Sequence, residues 1–359
     1  MNTKIIRIQG QGENFSGGED MALREAGEVL RRGGLVAFPT ETVYGLGGDA
    51  LNPESSRKIY AAKGRPADNP LIVHIARTED LVRIADRISE SAMQLARAFW
   101  PGPLTMILHK SQEVPYETTG GLDTVAVRMP SHPVARRLIS YGGGYVAAPS
   151  ANLSGRPSPT SARYVKEDMD GRIDVIIDGG DGEIGLESTI VDLTVSPPQV
   201  LRPGFITRDM LAGVLGQVDL DRTLLRADSG QAPRAPGMKY RHYAPQGELT
   251  IVSGQAEQVT AYINACAAED GSRGHKVGVI ATDEELPGYR ADLVCSLGSR
   301  RDEEEIARRL YGILRRFDDE KVTRIYSECF DDTGLGQAIM NRLLKAAGHR
   351  LVVLEGNQK

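Results

Sequence analysis

Cysteine and aromatic residues are scarce in this chain of 359 residues. Aromatic residues make up 5% of it, and its three cysteines, Cys266, Cys295 and Cys329, lie far apart in the sequence. Disulfide frameworks and zinc clusters need more cysteines at closer spacing, so both are excluded. We interpret the cysteines as core thiols in a reducing compartment, which predicts a cytoplasmic protein.

Long apolar runs and an excess of positive charge are also missing. No stretch of about 18 consecutive apolar residues occurs, so the sequence predicts no membrane span. The N-terminal residues 1–8 lack the basic-then-apolar layout of a secretory signal. The net charge of −5 argues against broad or strong nucleic-acid binding.

The common nucleotide-binding motifs are absent or out of place. No G-x-x-x-x-G-K-[ST] motif occurs, which excludes a P-loop protein. Residues 45–50 match the dinucleotide pattern G-x-G-x-x-A, but six residues separate them from the preceding predicted strand. That pattern needs its first glycine in the strand-to-helix turn itself, so we reject it. The H-E-x-x-H motif and local serine or cysteine triads are missing as well.

What the chain does contain is polar residues grouped around the ends of short apolar runs. Residues 35–38 and 71–75 predict buried strands, and Asn52 and Gly64 mark the ends of a helix between them. Open α/β sheets bind their ligands at such strand ends. The pattern therefore predicts a small-molecule site.

The loop before the second of these strands carries Lys63, Arg65 and Asn69. Arginine offers phosphate a planar fork of donors, lysine a compact charge, and asparagine both a donor and an acceptor. A solvated basic turn is the alternative, but two prolines stiffen this loop and favour a binding role. His74, inside the strand, is either a satisfied core residue or a ligand.

Four further clusters of polar residues accompany predicted strands. They contain Arg128, the hydroxyl-rich turn 150–158, Ser188 and Arg202. Each cluster taken alone is typical of capping serines, surface arginines and turns, so a single cluster does not indicate a binding site. Arg128 and Arg202 lie near proline at strand exits, where a cation can point into a shared crevice. Together the four clusters favour one common site.

The chain divides into two α/β domains joined by a linker. We predict a first α/β domain with a mixed sheet at 20–212, in which Asp20 caps the first helix and another helix lies near 79–87. Residues 213–247 are typical of a linker. Residues 248–359 predict a smaller doubly wound α/β domain without an obvious reactive cluster.

Six ordered segments resemble the threonylcarbamoyl-AMP synthase family. They read FPTETVYGLG from Phe38, KGRPADNPLIVHI from Lys63, PSANLSG from Pro149, ESTIVD from Glu187, LRPG from Leu201 and PGMKYRHYAP from Pro236. The resemblance covers nearly the whole chain and is to the long form of the family. It implies a YrdC-like twisted mixed sheet with helices, joined by a linker to a smaller Rossmann-like, doubly wound α/β domain.

The resemblance also implies a reaction. L-Threonine, bicarbonate or CO2, and ATP would give threonylcarbamoyl-adenylate and pyrophosphate. The product would supply the threonylcarbamoyladenosine modification of tRNA through downstream transfer machinery. Mg²⁺ would be carried by the ATP and not by protein ligands. No membrane partner and no strong direct nucleic-acid binding are expected.

The family's site residues carry over to the positions of this chain that match its motifs. Threonine would be held by Thr42, His74, Arg128 and Ser188. ATP would be held by Lys63, Arg65, Asn69, Thr124, Ser150, Asn152, Ser158, Arg202 and Tyr243. No residue acts as a nucleophile, and Lys63 and Arg65 come nearest to a catalytic role through positioning and electrostatics. Ala148 departs from the pattern, because some relatives offer a threonine hydroxyl there.

Three questions stay open at this point. Residues 234–245 predict either a moving lid over the site or a static strap between the domains. A related class of carbamoyltransferases uses carbamoyl phosphate, but its members carry cysteine arrays that this chain lacks. An RNA-binding module without catalysis would need a basic surface with stacked aromatic residues, which the composition does not favour.

Overall fold

The computed structural model describes residues 2–10, 12, 14–221, 234–236 and 242–354. Its contacts divide the chain into two compact units. The first comprises Met1–Ser154 and Ser158–Tyr240, and the second comprises Gly155–Pro157 and Arg241–Lys359. No helix within the described ranges is long and apolar enough to cross a membrane.

The first unit contains strands and helices in alternation. Its strands are β1 (Lys4–Arg7), β2 (Val36–Phe38), β3 (Gly45–Asp49), β4 (Ile72–Ile75), β5 (Leu104–His109), β6 (Thr124–Arg128), β7 (Tyr145–Ala147), β8 (Val175–Asp178), β9 (Thr189–Asp192), β10 (Gln199–Arg202) and β11 (Asp219–Leu220). Its helices are α1 (Gly17–Arg31), α2 (Pro53–Lys63), α3 (Leu81–Ile84), α4 (Glu90–Phe99), α5 (Tyr116–Thr119), α6 (Pro133–Tyr141), α7 (Ala162–Met169) and α8 (Arg208–Leu215).

These strands form one sheet of 11 strands in the order β1-β8-β2-β3-β7-β4-β6-β5-β9-β10-β11. Strand β4 runs parallel to β6 and antiparallel to β7, and β5 runs parallel to β9 and antiparallel to β6. The mixed sheet that the sequence predicts is thus confirmed. Strands β4 and β6 lie in the middle of the sheet and are almost wholly buried.

One prediction about helices is wrong, and another is confirmed only for part of its range. Helix α1 is capped by Ser16 and not by Asp20, since Ser16 and Glu19 form a reciprocal capping box. Asp20 lies inside the first turn, 3.2 Å from the Arg24 guanidinium. The helix expected near 79–87 is only a 3-10 turn followed by the short α3, because Ala85 is extended and bridges to another segment.

The sequence also does not predict β1 and β3. Strand β1 pairs with β8, so the sheet includes residues that precede the expected domain start at residue 20. Strand β3 contains most of the segment that matches the dinucleotide pattern, and it pairs antiparallel with β2. A Cβ at Gly47 would lie 2.8 Å from Val146 Cγ1, so this glycine serves close packing. The rejection of the dinucleotide pattern is confirmed.

The second unit is a doubly wound α/β domain, as predicted. Its strands are β12 (Glu248–Ser253), β13 (Val277–Ala281), β14 (Leu293–Ser296), β15 (Arg324–Glu328) and β16 (Leu351–Val353), and its helices are α9 (Ala256–Ser272), α10 (Glu303–Asp319) and α11 (Gly334–Ala346). The strands are all parallel, in the order β14-β13-β15-β12-β16. Their carboxyl ends therefore meet at one edge of the sheet.

The linker predicted at 213–247 begins inside ordered structure. Helix α8 continues to Leu215, and β11 pairs with β10 through Gln199 and Asp219. Residues 222–233 and 237–241 lie outside the described residues. These include Lys239, Tyr240 and Arg241 of the predicted lid.

Candidate active site

The loop between β2 and β3 carries three buried polar residues, Thr40, Glu41 and Thr42. Its backbone is held by the loop that follows β8. The Ile184 amide donates to the Glu41 carbonyl at 2.8 Å, and the Gly185 amide donates to the Thr42 carbonyl at 3.2 Å. The two threonine hydroxyls lie 2.8 Å apart. The loop is therefore a fixed wall of the site.

Three neighbouring strands present a row of polar side chains next to this loop. His74 of β4 is paired with Arg128 of β6, and Arg128 is paired with Thr105 of β5. Paired residues on adjacent strands point to the same face of the sheet. Arg128 Nη1 donates to Thr42 Oγ1 at 2.9 Å, so the loop and the strand row contact each other.

Arg128 also forms a buried ion pair with Glu41. Its Nη2 lies 2.7 Å from Glu41 Oε1, and the two side chains are 5% and 6% exposed. Within the described part of the chain, Glu41 Oε2 and Arg128 Nε have no hydrogen-bond partner. Buried charged groups need such partners, because water no longer solvates them. The pair thus offers an acceptor and a donor to a ligand.

Ser188, just before β9, extends the row through its hydroxyl. Its Oγ lies 2.7 Å from Thr105 Oγ1 and accepts from Arg202 Nη2 at 3.1 Å. Arg202 Nε also donates to the Ser188 carbonyl at 3.0 Å. Glu187, which directly precedes Ser188, accepts a hydrogen bond through its Oε1 from the Ser158 hydroxyl at 2.6 Å. Arg202, which the resemblance assigns to ATP, therefore directly contacts Ser188, which it assigns to threonine.

His74 lies deep in this row as a neutral imidazole. Burial, followed by the nearby charge of Arg128, lowers the pKa of His74 to about 3. Its Nδ1 lies 3.1 Å from the Ile72 carbonyl, and its ring meets the edge of Phe38. His74 is therefore suited to hydrogen bonding and not to carrying charge.

Lys63 fixes the hydroxyl-rich turn that follows β7. It is the last residue of α2, it is buried, and its Nζ donates to the carbonyls of Ser150 and Asn152. The Ser150 hydroxyl in turn donates to Asn152 Oδ1. Lys63, Ser150 and Asn152, three of the nine residues that the resemblance assigns to ATP, are therefore brought together.

Arg65 and Asn69 form a second ordered turn directly after α2. Gly64 ends the helix in the left-handed conformation, with φ of 62°. Arg65 then donates to Asn69 Oδ1 at 2.7 Å and to the Pro70 carbonyl at 3.0 Å. The predicted basic loop is thus a closed turn that is held by its own arginine.

Thr124 and Ala148 do not belong to the row around Arg128, and Tyr243 belongs to the other unit. Thr124 begins β6, and its four-residue separation from Arg128 corresponds to about 13 Å along the strand. Ala148 offers no side-chain hydrogen bond, and its amide donates to the Ile72 carbonyl. Tyr243 belongs to the second unit, where its ring lies 5.3 Å from that of Tyr311.

The structure adds three polar residues that the sequence reasoning missed, namely Glu41, Thr105 and Glu187. That reasoning looked for groups that bind anions, so it passed over carboxylates. Glu41 lies inside the FPTETVYGLG segment and Glu187 directly precedes Ser188, so both had a usable signal. Thr105 had none, because it lies within an apolar strand.

Known proteins match this chain over both units. A family profile described as telomere recombination matches residues 28–204, and one described as the C-terminal domain of threonylcarbamoyl-AMP synthase matches residues 206–348. Threonylcarbamoyl-AMP synthase of Pyrococcus abyssi is 49% identical over 93% of this chain and 96% of its own length. The protein of that name in Bacillus subtilis is 48% identical over 93% and 95%, respectively.

Solved structures agree with these sequence matches. Sua5 of P. abyssi complexed with L-threonine is 46% identical, with a TM-score of 0.91 over 98% of this chain and 100% of that chain. A double variant of the same protein gives a TM-score of 0.93 over 99% of this chain and 100% of that chain. The chain therefore belongs to the threonylcarbamoyl-AMP synthase family.

Proposed function

We propose that the protein joins L-threonine, bicarbonate or CO2, and ATP into threonylcarbamoyl-adenylate with release of pyrophosphate. The product would supply the threonylcarbamoyladenosine modification of tRNA through downstream transfer machinery. The curated relatives are named threonylcarbamoyl-AMP synthase, and Sua5 of P. abyssi was crystallised with L-threonine. The observation that carries the proposal is the buried Arg128–Glu41 pair beside Thr42 and His74.

This pair suits a free amino acid. The carboxylate of threonine would accept from the Arg128 guanidinium, and its ammonium group would donate to Glu41. The zwitterion would insert between two groups that already neutralise each other, so binding would leave no net buried charge. The hydroxyls of Thr42 and Ser188 are the partners proposed for the threonine side chain. A ligand that lacks either charge would leave Arg128 or Glu41 unpaired and would bind poorly.

The proposed chemistry needs no protein nucleophile. The threonine ammonium group first releases one proton to water; the resulting amine attacks CO2, which forms the N–C bond of a carbamate, and a second proton passes to water. A carbamate oxygen then attacks the α-phosphorus of ATP, so a new P–O bond forms while the bond to pyrophosphate breaks. Correct alignment of reactants can contribute about 7–11 kcal/mol to such a step.

Lys63, Arg65 and Arg202 are proposed to stabilise the phosphate charge. Each already donates to backbone carbonyls, so each cation is oriented before a substrate arrives. The described residues contain no group of three His, Cys, Asp or Glu side chains placed to hold a metal. Mg²⁺ keeps most of its waters and takes few protein ligands, so we propose that it enters with the triphosphate and neutralises part of its charge.

Pyrophosphate release with defined substrates tests the proposal. Turnover that requires threonine and bicarbonate together supports it. Turnover with carbamoyl phosphate in their place would favour the carbamoyltransferase alternative, and RNA binding without turnover would favour the binding module. Arg65→Ala should abolish turnover at an unchanged circular dichroism spectrum. Arg163→Ala, an exposed arginine on α7, is the matched control and should be fully active.

The linker is proposed to act as a lid over this site, and a static strap is the competing hypothesis. Of its residues 234–245, the structure describes only part. Pro236 is among these, and its carbonyl lies 3.5 Å from Arg202 Nη1. Cutting the chain after residue 215 separates the hypotheses. Full ATP turnover by the shortened chain would leave the lid without support.

A further inference from the structure

His132 lies where the chain leaves β6 and enters α6, shortly after Arg128 at the end of that strand. A Cβ at Gly179 would lie 2.8 Å from Pro39 Cγ and 3.8 Å from His132 Cε1, so both residues flank the same glycine. Pro39 belongs to the loop between β2 and β3. The imidazole of His132 therefore lies beside the loop that carries Glu41.

The Nδ1 atom of His132 makes no contact that would explain the residue by its role in the fold. The atom is buried, and no residue in the described ranges forms a hydrogen bond with it. His132 is the N-cap residue of α6, yet its side chain makes no capping hydrogen bond to the first turn of that helix. Buried nitrogen atoms normally have a hydrogen-bond partner, so Nδ1 is available to a ligand.

The imidazole of His132 is uncharged at neutral pH. Burial lowers its pKa below the ordinary value of 6.5, whereas the nearby charges of Glu41, from the loop after β2, and Glu183, from the loop after β8, oppose this shift. On its own helix, Arg136 follows one turn later. In the tautomer that carries its proton on Nε2, Nδ1 is an acceptor. The two carboxylates would stabilise the imidazolium that forms when Nδ1 takes up a proton.

The proposed chemistry needs a base when the threonine amine attacks CO2. The nitrogen then becomes positively charged and more acidic than an ordinary ammonium group, because its electron density moves into the new N–C bond. A positioned neutral imidazole is a suitable acceptor for such a proton. His74 is too weak a base for this task, since its pKa is about 3. Glu41 is already paired with the Arg128 guanidinium.

We propose that Nδ1 of His132 accepts the proton that the threonine nitrogen loses as its bond to CO2 forms. This inference rests on the proposed function and adds a catalytic residue to it. The nitrogen lone pair forms the N–C bond, the electrons of the broken N–H bond stay on nitrogen, and the proton moves to Nδ1 and from there to water. His132 acts in carbamate formation alone and takes no part in the later step at phosphorus.

His132→Asn in the full-length protein tests this inference. Asparagine is a favoured N-cap residue and can form hydrogen bonds, so the fold is kept, but its amide does not take up a proton. The kcat of threonine-dependent pyrophosphate release should fall at least about 10²-fold, with a nearly unchanged KM for threonine. The matched control is His349→Asn, which should be fully active. His349 is exposed in the second unit, and asparagine tolerates its left-handed conformation, with φ of 64°.

The pH profile of kcat, measured at a fixed concentration of dissolved CO2, reports the proton transfer itself. The kcat of the parent protein should rise as the pH increases through the pKa of His132, which lies below 6.5, because only the neutral imidazole accepts a proton. His132→Asn should lack this rise. Parallel profiles of the two proteins would overturn the inference.

The reverse reaction separates a catalytic role from a structural one. Formation of ATP from purified threonylcarbamoyl-adenylate and pyrophosphate exchanges only P–O bonds, so His132→Asn should make ATP at the rate of the parent protein. An equal loss of activity in both directions, or a forward kcat equal to that of the parent, overturns the role of His132. A parent protein that releases no pyrophosphate with threonine and bicarbonate would overturn the proposed function, and this inference with it.

Discussion

The two α/β units bring polar side chains together in different ways. In the first unit the sheet is mixed, so Arg128, Thr105 and His74 form a row only because three strands pair in one register. In the second unit every strand is parallel, so all carboxyl ends reach one edge and a crevice follows from the topology. The first arrangement requires particular residues at many positions, and these leave motifs in the sequence. The second arrangement follows from strand direction alone and does not require particular residues at those ends.

The largest effect is expected at the buried ion pair of the first unit. Arg128→Met would leave the Glu41 carboxylate without its cation and lower the free energy of unfolding by about 3–5 kcal/mol. Loss of this donor should also reduce threonine-dependent pyrophosphate release about 10²–10³-fold. Urea denaturation and the pyrophosphate assay measure the two effects separately.

A second substitution separates stability from binding at this pair. Glu41→Gln combined with Arg128→Met removes both charges, so most of the lost stability should return. Activity should stay low, because the carboxylate of threonine still lacks its partner. Recovery of turnover in the double variant would contradict the role proposed for Arg128.

A smaller effect is expected at Ser188, where hydroxyl groups connect neighbouring strands. Ser188→Ala removes the contacts to Thr105 and to the Arg202 guanidinium. Ser188 is also a proposed partner of the threonine hydroxyl, and losing that neutral hydrogen bond costs about 0.5–1.5 kcal/mol, which corresponds to a rise of roughly 2–10-fold in the KM for threonine. Steady-state kinetics measure the KM for threonine. The control is Ser140→Ala, a substitution at an exposed position of α6. An unchanged KM would place Ser188 outside the threonine site.

His74 should make stability depend on pH without carrying charge at neutral pH. Its pKa in the folded protein is about 3, below the ordinary value of 6.5, so the unfolded chain binds more protons between these values. The free energy of unfolding should therefore fall as the pH drops below 6.5, by up to about 1.4 kcal/mol per pH unit. Urea denaturation of His74→Gln between pH 7 and pH 4.5 should lack this component. A parallel pH dependence in both proteins would exclude a buried neutral His74.

The smallest effect on catalysis is expected in the second unit. Arg300→Ala should leave threonine-dependent pyrophosphate release unchanged, because Arg300 pairs with Glu328 inside the second unit. Burial raises the pKa of Glu328, whereas the Arg300 charge opposes this rise. The unfolding free energy should therefore fall as the pH rises above the ordinary carboxyl range, and more steeply without Arg300. A strong loss of synthase turnover would show that the two units are coupled.

Much of the local structure could be predicted from the sequence, because local interactions fix it. Asn52 caps α2 by accepting from the Glu54 amide, and Gly64 ends it, as their positions indicate. The cap of α1 was predicted at the wrong residue, although Ser16 and Glu19 have the three-residue spacing of a capping box. Strand β1 could not be predicted with confidence from four residues, since its pairing with β8 involves residues more than 160 positions away.

By itself, the sequence determined the α/β class of both units, the position of the polar segments and the supply of cations and hydroxyls for a small anionic ligand. Only the tertiary structure decided which groups meet. The contact of Thr105 with Ser188 joins residues 83 positions apart, and Arg128 of β6 reaches Glu41 in the loop between β2 and β3. The pKa of His74 likewise depends on burial by strands that are distant in sequence. Such pairings depend on sheet register and desolvation, which no local pattern of residues encodes.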